Sequence, residues 1–153
     1  MNASFYRMFP PSEPCSCDIC LAYCRRPGWW SVHEAKQAIE DGRANRMMLE
    51  AAPDFSFFVL SPAFKGNEGY FALASYSQNW CTFFVCGRCE LFGTSYQPAE
   101  CRFCHHERKG LGEGCHRALM RDWRTNEAKR LVTYWFRLMS LEGLERTVTR
   151  KSY

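Results

Sequence analysis

Residues 81–89 read Cys-Thr-Phe-Phe-Val-Cys-Gly-Arg-Cys, and residues 101–106 read Cys-Arg-Phe-Cys-His-His. With the start of the chain, they supply three pairs of cysteines separated by two residues: Cys17/Cys20, Cys86/Cys89 and Cys101/Cys104. Two cysteines at this spacing can direct both sulphur atoms to one metal, and the spacing is a common half-site of zinc centres and iron–sulfur clusters. Three such pairs predict a fold organised around cysteine-ligated metal.

The composition is that of one globular domain. The chain has 153 residues, of which 46% are hydrophobic and 16% aromatic, which excludes a disordered or collagen-like chain. No stretch approaches the roughly 20 apolar residues of a membrane-spanning helix. The N-terminal residues lack the basic start and apolar block of a signal peptide. We therefore expect a cytoplasmic protein with no membrane partner.

The number of cysteines is unusual for such a protein. Ten cysteines could form five disulfides, but disulfides need an oxidising compartment. In a chain without an export signal, dense cysteines more often bind metal. Metal is therefore the preferred interpretation of the cysteines.

The charge gives little support to a nucleic-acid partner. The formal net charge of +4 counts every cysteine as a neutral thiol. A zinc ion with four thiolates carries about −2, and a [4Fe–4S] cluster with four thiolates carries about −1 to −3. Two such sites would cancel the positive charge, so a protein partner is the stronger of the two candidates.

A helix is predicted after the first cysteine cluster. Ser31 and Glu34 have the spacing of a capping box, in which each side chain accepts a hydrogen bond from the backbone of the other residue. A helix from about Val32 to Asp41 should follow, and Gly42 should end it.

Composition and spacing predict the other segments. We expect an extended lead-in at residues 1–14, a short helix at 44–51, strands at 55–60 and 70–75, and helices at 117–123 and from 126 to about 141. The second cysteine block, 81–104, should be loop and turn because glycine and proline interrupt it. Leu131, Tyr134, Trp135, Leu138 and Met139 should form the apolar stripe of the last helix. The prediction is a single loop-rich α+β domain at 15–153, with C-terminal helices packed on a metal core.

The motifs of the second block also resemble a known family. Cys81-Thr-Phe-Phe, Cys89-Glu-Leu-Phe and Pro98-Ala-Glu-Cys101-Arg-Phe-Cys104 are similar in order and spacing to the zinc- or iron-chelating cysteine-cluster family, also called YkgJ-like. The resemblance covers roughly residues 17–115. It implies these metal ligands: Cys17, Cys20, Cys24, Cys81, Cys89, Cys101 and Cys104, with Cys115 as the eighth.

Zinc and an iron–sulfur cluster make different demands on these residues. Zinc needs a tetrahedral set, which His105, His106 or His116 could complete. A [4Fe–4S] cluster takes four thiolates in an apolar shell, and the aromatic residues beside the cysteines favour it slightly. Cys15 and Cys86 fit the pattern least well and are treated as spare or alternate thiols. A single residue separates Cys15 from Cys17, so binding both to one metal would strain the loop.

Three classes of function are consistent with these residues. In each, we expect the fourth ligand of the first cysteine cluster to come from the second block. The first class is a metal-cluster protein with an iron–sulfur or zinc centre, accessory to redox or protein-modifying chemistry. The second is a zinc-organised module that binds a protein or a nucleic acid. The third is a metalloenzyme with an open coordination position. The residues identify no substrate and no catalytic group, so the sequence leaves enzymatic activity undecided.

Overall fold

The computed structural model describes the backbone of residues 3–108 and 110–151, and the side chains of residues 5–108 and 110–140. The described residues form an α+β domain, which confirms the predicted fold class. Its elements are α1 (Ala3–Met8), α2 (Asp18–Ala22), α3 (Val32–Glu40), β1 (Met47–Ala51), β2 (Phe58–Pro62), β3 (Phe84–Val85), β4 (Arg88–Cys89), α4 (Ala99–Phe103), α5 (Gly112–Trp123) and α6 (Asn126–Lys151). None of the described helices has both the length and the apolar character needed to cross a membrane.

Helix α3 begins where the sequence predicts. The backbone N–H of Glu34 donates to Ser31 Oγ at 3.2 Å, and the backbone N–H of Ser31 donates to Glu34 Oε1 at 2.8 Å. The helix ends at Glu40, and Gly42 follows with a φ of +84°, a conformation that glycine adopts at low cost. The capping box and the glycine stop are therefore confirmed.

The predicted helix at 44–51 is wrong. Residues 44–46 form one 3-10 turn, and Met47–Ala51 form strand β1, which pairs antiparallel with β2 so that Leu49 lies opposite Leu60. Met, Leu, Glu and Ala favour helices, but this preference amounts to only tenths of a kcal/mol per residue. Pairing with the aromatic and β-branched residues of β2 buries Met47–Leu49 and outweighs it.

The two predicted strands are only partly found. The segment 55–60 was expected to be extended, and the strand is Phe58–Pro62, because Phe55 takes a positive φ of 58° in the turn before it. In the segment 70–75, Phe71 makes a single isolated bridge to Leu49, and a 3-10 turn begins at Ala74. The second cysteine block consists of turns, the short β3–β4 hairpin and α4, as expected for loop-rich chain.

Three buried tryptophans join the C-terminal helices to the rest of the core. Trp123 Nε1 donates to the carbonyl of Trp30 at 2.7 Å, and Trp30 Nε1 donates to the carbonyl of Tyr96 at 2.6 Å. Trp135 Nε1 donates to the carbonyl of Ala44 at 2.7 Å. Each indole buries its ring and still satisfies its N–H, so these bonds fix α5 and α6 against the core.

The stripe of α6 and the N-terminal lead-in differ in part from expectation. Leu131 and Trp135 are buried, but Tyr134 is 53% exposed. Residues 3–8 are helical rather than extended, because α1 buries Phe5 against α4 and α5. Residues 10–16 have no regular secondary structure.

A buried carboxylate holds three helices together. Glu34 is 1% exposed, and its Oε1 also accepts the backbone N–H of Ala99 at 3.1 Å, at the start of α4. Its Oε2 accepts the hydroxyl proton of Tyr6, in α1, at 2.7 Å. Burial, followed by the charge of Glu34, raises the pKa of Tyr6, so the phenol remains a donor. Glu34 therefore links α1, α3 and α4.

Glu34→Gln should destabilise the fold. The amide has one acceptor oxygen where the carboxylate has two, so at least one buried donor loses its partner, at a cost of about 1–3 kcal/mol in free energy of unfolding. Urea denaturation measures this cost, with the exposed Glu40→Gln on the same helix as the matched control. Equal stability of the two variants would contradict the role assigned to Glu34.

Candidate metal centre

All ten cysteines are free, and many of them gather at two places. The first group lies at the start of α2 and includes a histidine from the second cysteine block. Its members are Cys15, Cys17, Cys20 and His106. The second is a looser group of Cys24, Cys81, Cys89 and Cys101, in which the backbone N–H of Cys81 donates to the carbonyl of Cys24 at 2.8 Å. Burial, and then charge on neighbouring thiols of the group, raises the pKa values of Cys24, Cys81 and Cys101.

The first group has the arrangement of a metal site. The Nδ1 atom of His106 lies 3.6 Å from the Sγ of Cys15, 3.5 Å from that of Cys17 and 3.3 Å from that of Cys20. All four atoms lie within 4.8 Å of one another, and no other such group of three or more Cys, His, Asp or Glu side chains occurs in the described part of the chain. Three thiols and an imidazole in this arrangement can bind a metal ion.

Cys15 and Cys17 reach the same centre although a single residue separates them. Cys17 has φ −67° and ψ 163°, and residues 10–16 before it have no regular secondary structure. The Sγ atoms of both residues lie within 4.8 Å of each other and of the ligand atoms of Cys20 and His106. Cys17 is also the N-cap of α2, and Cys20 lies one turn into that helix.

The segment before Cys15 is attached to the second cysteine block. The backbone N–H of Ser12 donates to the carbonyl of Arg102 at 2.7 Å, and the Ser12 hydroxyl donates to the carbonyl of Cys104 at 3.3 Å. The guanidinium of Arg108 donates to the carbonyl of Pro10 at 2.5 Å. These bonds place the N-terminal thiols beside His106.

Backbone N–H groups point at two of the sulphur atoms. The N–H of Cys20 donates to Cys17 Sγ at 3.5 Å, and the N–H of His106 donates to Cys20 Sγ at 3.3 Å. The first bond lowers the pKa of Cys17 from 9.0 to about 7, whereas burial raises the pKa of Cys20 to about 11. Because metals bind the thiolate, both N–H donors favour the ligand form.

The two adjacent histidines have different surroundings. The Nδ1 atom of His106 faces the sulphur atoms, and its Nε2 atom lies 4.0 Å from the carboxylate of Glu107. In metal sites, a carboxylate near the second ring nitrogen commonly orients a ligating imidazole. The Nδ1 atom of His105 accepts the backbone N–H of Glu107 at 3.1 Å. Of the two, His106 is therefore the one placed to act as a ligand.

The residues implied by the family resemblance fall into several places. Cys17 and Cys20 lie in the first group, and Cys24, Cys81, Cys89 and Cys101 form the second. Burial, and then charge on Glu100, Cys20 and Cys24, raises the pKa of Cys104 to about 11. Cys115 is 1% exposed and packs in an apolar cluster with Phe5 and Phe103. The remaining thiol, Cys86, is exposed in the turn between β3 and β4.

Two members of the first group were not among the residues implied by the resemblance. The loop strain expected between Cys15 and Cys17 argues for Cys15 as a spare thiol, but the structure places Cys15 Sγ 3.6 Å from His106 Nδ1, within the group. His106 was one of three open candidates. A sequence feature could have pointed to Cys15 and His106. Residues 15–20 contain three cysteines, which need one further ligand to complete a tetrahedral site, and two histidines follow the second block directly.

Comparison with known proteins adds no further information about this site. No protein-family model, no curated protein and no solved structure matches the chain. The resemblance to the cysteine-cluster family therefore stays a prediction.

An ion pair lies beside the second cysteine block and involves the third candidate histidine. The Nδ1 atom of His116 lies 3.0 Å from Glu100 Oε2, and its ring lies 4.2 Å from the ring of Trp29. The hydrogen bond to Glu100 raises the pKa of His116 above 6.5. The nitrogen that faces Glu100 is therefore engaged in this hydrogen bond, which is an ion pair whenever the imidazole is protonated.

This ion pair should make stability depend on pH. A histidine whose pKa is higher in the folded state contributes its full stabilisation below the unfolded pKa of 6.5, and this is lost as the pH rises through the folded value. His116→Gln should therefore lose about 0.2–1 kcal/mol below pH 6.5, since the pair is partly exposed, and less at higher pH. Urea unfolding from pH 5.5 to 8.5 measures the difference, with the exposed His33→Gln as control. A difference that does not change with pH would contradict the assignment.

Proposed function

We propose that this protein is a zinc-organised domain, and that Cys15, Cys17, Cys20 and His106 hold one zinc ion. The observation that supports this most is a match of distances. Zinc bonds of about 2.3 Å to sulphur and 2.0–2.1 Å to nitrogen put the two atoms about 3.6 Å apart at a tetrahedral angle. The three S···N distances of this group are 3.6, 3.5 and 3.3 Å.

Zinc fits this group better than an iron–sulfur cluster does. Three thiolates and one imidazole are a common set for structural zinc. A [4Fe–4S] cluster takes four thiolates on four different irons, so its ligand atoms need more space than a single ion requires. Among divalent metals, zinc also binds such a site more tightly than iron does.

The proposed zinc has a structural role. Four protein ligands leave no open position for water or substrate, which supports a structural site over a hydrolytic one. The ion would join the N-terminal segment to a histidine 86 residues from Cys20, next to the bonds of Ser12 and Arg108. Zinc binding should therefore be coupled to folding.

A protein partner suits such a domain better than a nucleic acid. Zinc with three thiolates adds 2 − 3 = −1 to the formal charge of +4, so the domain keeps only a small positive charge. Reduced thiols suit a reducing compartment such as the cytoplasm. We also propose membership of the zinc- or iron-chelating cysteine-cluster family, on the order and spacing of the cysteines. The second candidate function is that of an accessory protein in redox chemistry. The additional thiols of Cys24, Cys81, Cys89 and Cys101 favour this candidate.

Loss of any ligand of the first group should remove the zinc. Cys15→Ser and His106→Ala should each lose about one zinc per chain, because each substitution removes one of the four atoms that would close the structural site. Elemental analysis after dialysis measures the zinc content. Substitution with cobalt(II) should give wild type the visible bands of a tetrahedral thiolate site, and the variants should lose them.

Two controls accompany this experiment. Cys86→Ser removes an exposed thiol outside both groups and should keep the zinc. Removal of zinc from wild type with a chelator should lower the melting temperature, followed by circular dichroism. The proposal would be refuted if Cys15→Ser and His106→Ala retained as much zinc as Cys86→Ser.

A further inference from the structure

The segment that carries three of the proposed zinc ligands has little packing to hold it. No residue from 10 to 25 is buried, and helix α2, which lies within this segment, adds none to the core. Polar contacts attach it to the second cysteine block instead, among them the backbone bonds of Ser12 and Cys24 and the contacts of its thiols with His106. The position of the segment therefore depends on these contacts and on its ligands, rather than on hydrophobic burial.

Cys17 is the exposed thiol of the group, whereas Cys15 and Cys20 are partly buried. A cysteine is oxidised most readily when it is a thiolate, when solvent can reach it and when a second thiol lies beside it. Metal binding itself keeps a cysteine in the thiolate form. A small oxidant can therefore reach Cys17 Sγ at the proposed zinc site.

Cys20 is the thiol best placed to pair with Cys17. The backbone N–H of Cys20 donates to Cys17 Sγ at 3.5 Å, so this sulphur atom lies over the first turn of α2. The Sγ atoms of the two residues lie within 4.8 Å of each other. A disulfide bond is about 2.05 Å long, so the two atoms need to approach by less than about 3 Å. A change of side-chain rotamer produces a movement of this size.

A disulfide between these two residues is incompatible with the zinc site. Metals bind the thiolate, and a disulfide sulphur is no longer one. Only Cys15 and His106 would remain of the four ligand atoms, and a structural zinc site uses four. Formation of the disulfide should therefore expel the ion and remove its link between the segment and His106.

We propose that Cys17 and Cys20 form a reversible disulfide, whose formation releases the zinc ion and loosens residues 10–25 from the second cysteine block. The release of zinc rests on the proposed function, whereas the disulfide requires only the two thiols. The same site is then a structural zinc centre under reducing conditions and an open segment after oxidation.

A peroxide is the class of oxidant that fits an exposed thiolate. The Cys17 thiolate attacks one oxygen of hydrogen peroxide, the O–O bond breaks, and a sulfenic acid and a hydroxide ion form. The Cys20 thiolate attacks this sulphur, the S–S bond forms, and a second hydroxide ion leaves. The two sulphur atoms give two electrons to the peroxide, and two protons from solvent convert the hydroxide ions to water. A dithiol such as dithiothreitol reverses the reaction by thiol–disulfide exchange.

The test treats reduced, zinc-loaded wild type with a small molar excess of hydrogen peroxide. A coloured zinc indicator measures the released metal. Free thiols are alkylated with one reagent, the protein is reduced, and the newly freed thiols are alkylated with a second reagent, so that tandem mass spectrometry locates the disulfide. We expect release of about one zinc per chain and a disulfide between Cys17 and Cys20. Zinc should bind again after reduction with dithiothreitol.

Two variants accompany the wild type. Cys86→Ser removes an exposed thiol outside the group and should behave as wild type. Cys15→Ser should lack zinc from the start and still form the disulfide between Cys17 and Cys20. Absence of this disulfide from both wild type and Cys15→Ser would refute the proposed pair.

Hydrogen exchange measured by mass spectrometry gives a second readout. The backbone amides of Ser12 and of α2 should exchange faster in the oxidised protein, because the zinc link to His106 is lost. The amides of α3 serve as the internal control, since its capping box lies outside the site. Equal exchange of Ser12 and α2 before and after oxidation would contradict the loosening of the segment.

The outcomes separate this inference from the proposed zinc site. A reduced wild type that holds about one zinc and keeps it in peroxide would overturn the inference and leave the zinc site standing. A reduced wild type without zinc would refute the zinc site and the release of zinc, and the mapped disulfide would still decide the pair. Zinc release with a disulfide to Cys15, or with oxidation of Cys17 to a sulfinic acid, would also overturn the pairing with Cys20.

Discussion

The structure depends on contact between two cysteine-bearing parts of the chain that are far apart in sequence. Residues 10–24 lie against residues 81–108, held by the bond from Cys81 to Cys24 and by those of Ser12 and Arg108. Closing so long a loop costs conformational entropy, although the cost grows only slowly with length. The chain between the two parts offsets it by forming the main core with α5 and α6. Metal bonds would fasten the same junction.

The two thiol groups differ in donors, burial and spacing. The first includes an imidazole, contains the exposed Cys17 and is tight enough for one ion. The second has only thiols, includes the buried Cys81 and is set more widely. Glu34 supports the whole arrangement, because it connects α1 and α3 to α4, which carries Cys101.

Local patterns predict the elements whose stability is local. The capping box of Ser31 and Glu34 and the stop at Gly42 describe α3 correctly, because these interactions involve residues at most a few positions apart. The segment 44–51 was predicted wrongly because its strand state depends on pairing with β2, which lies outside any local window. The helix α1 was missed for a similar reason, since burial of Phe5 against α4 and α5 favours it.

The sequence by itself determined which groups are available for metal binding: ten thiols, many at metal-binding spacing, histidines beside them and enough apolar residues for one core. Residue types and short spacings are local properties, so they can be read directly. Only the tertiary structure decided how the candidate ligands are grouped. It placed Cys15 and His106 in one group and moved Cys24 to another, because the orientation of each side chain depends on the backbone between the cysteines and on contacts up to 91 residues away.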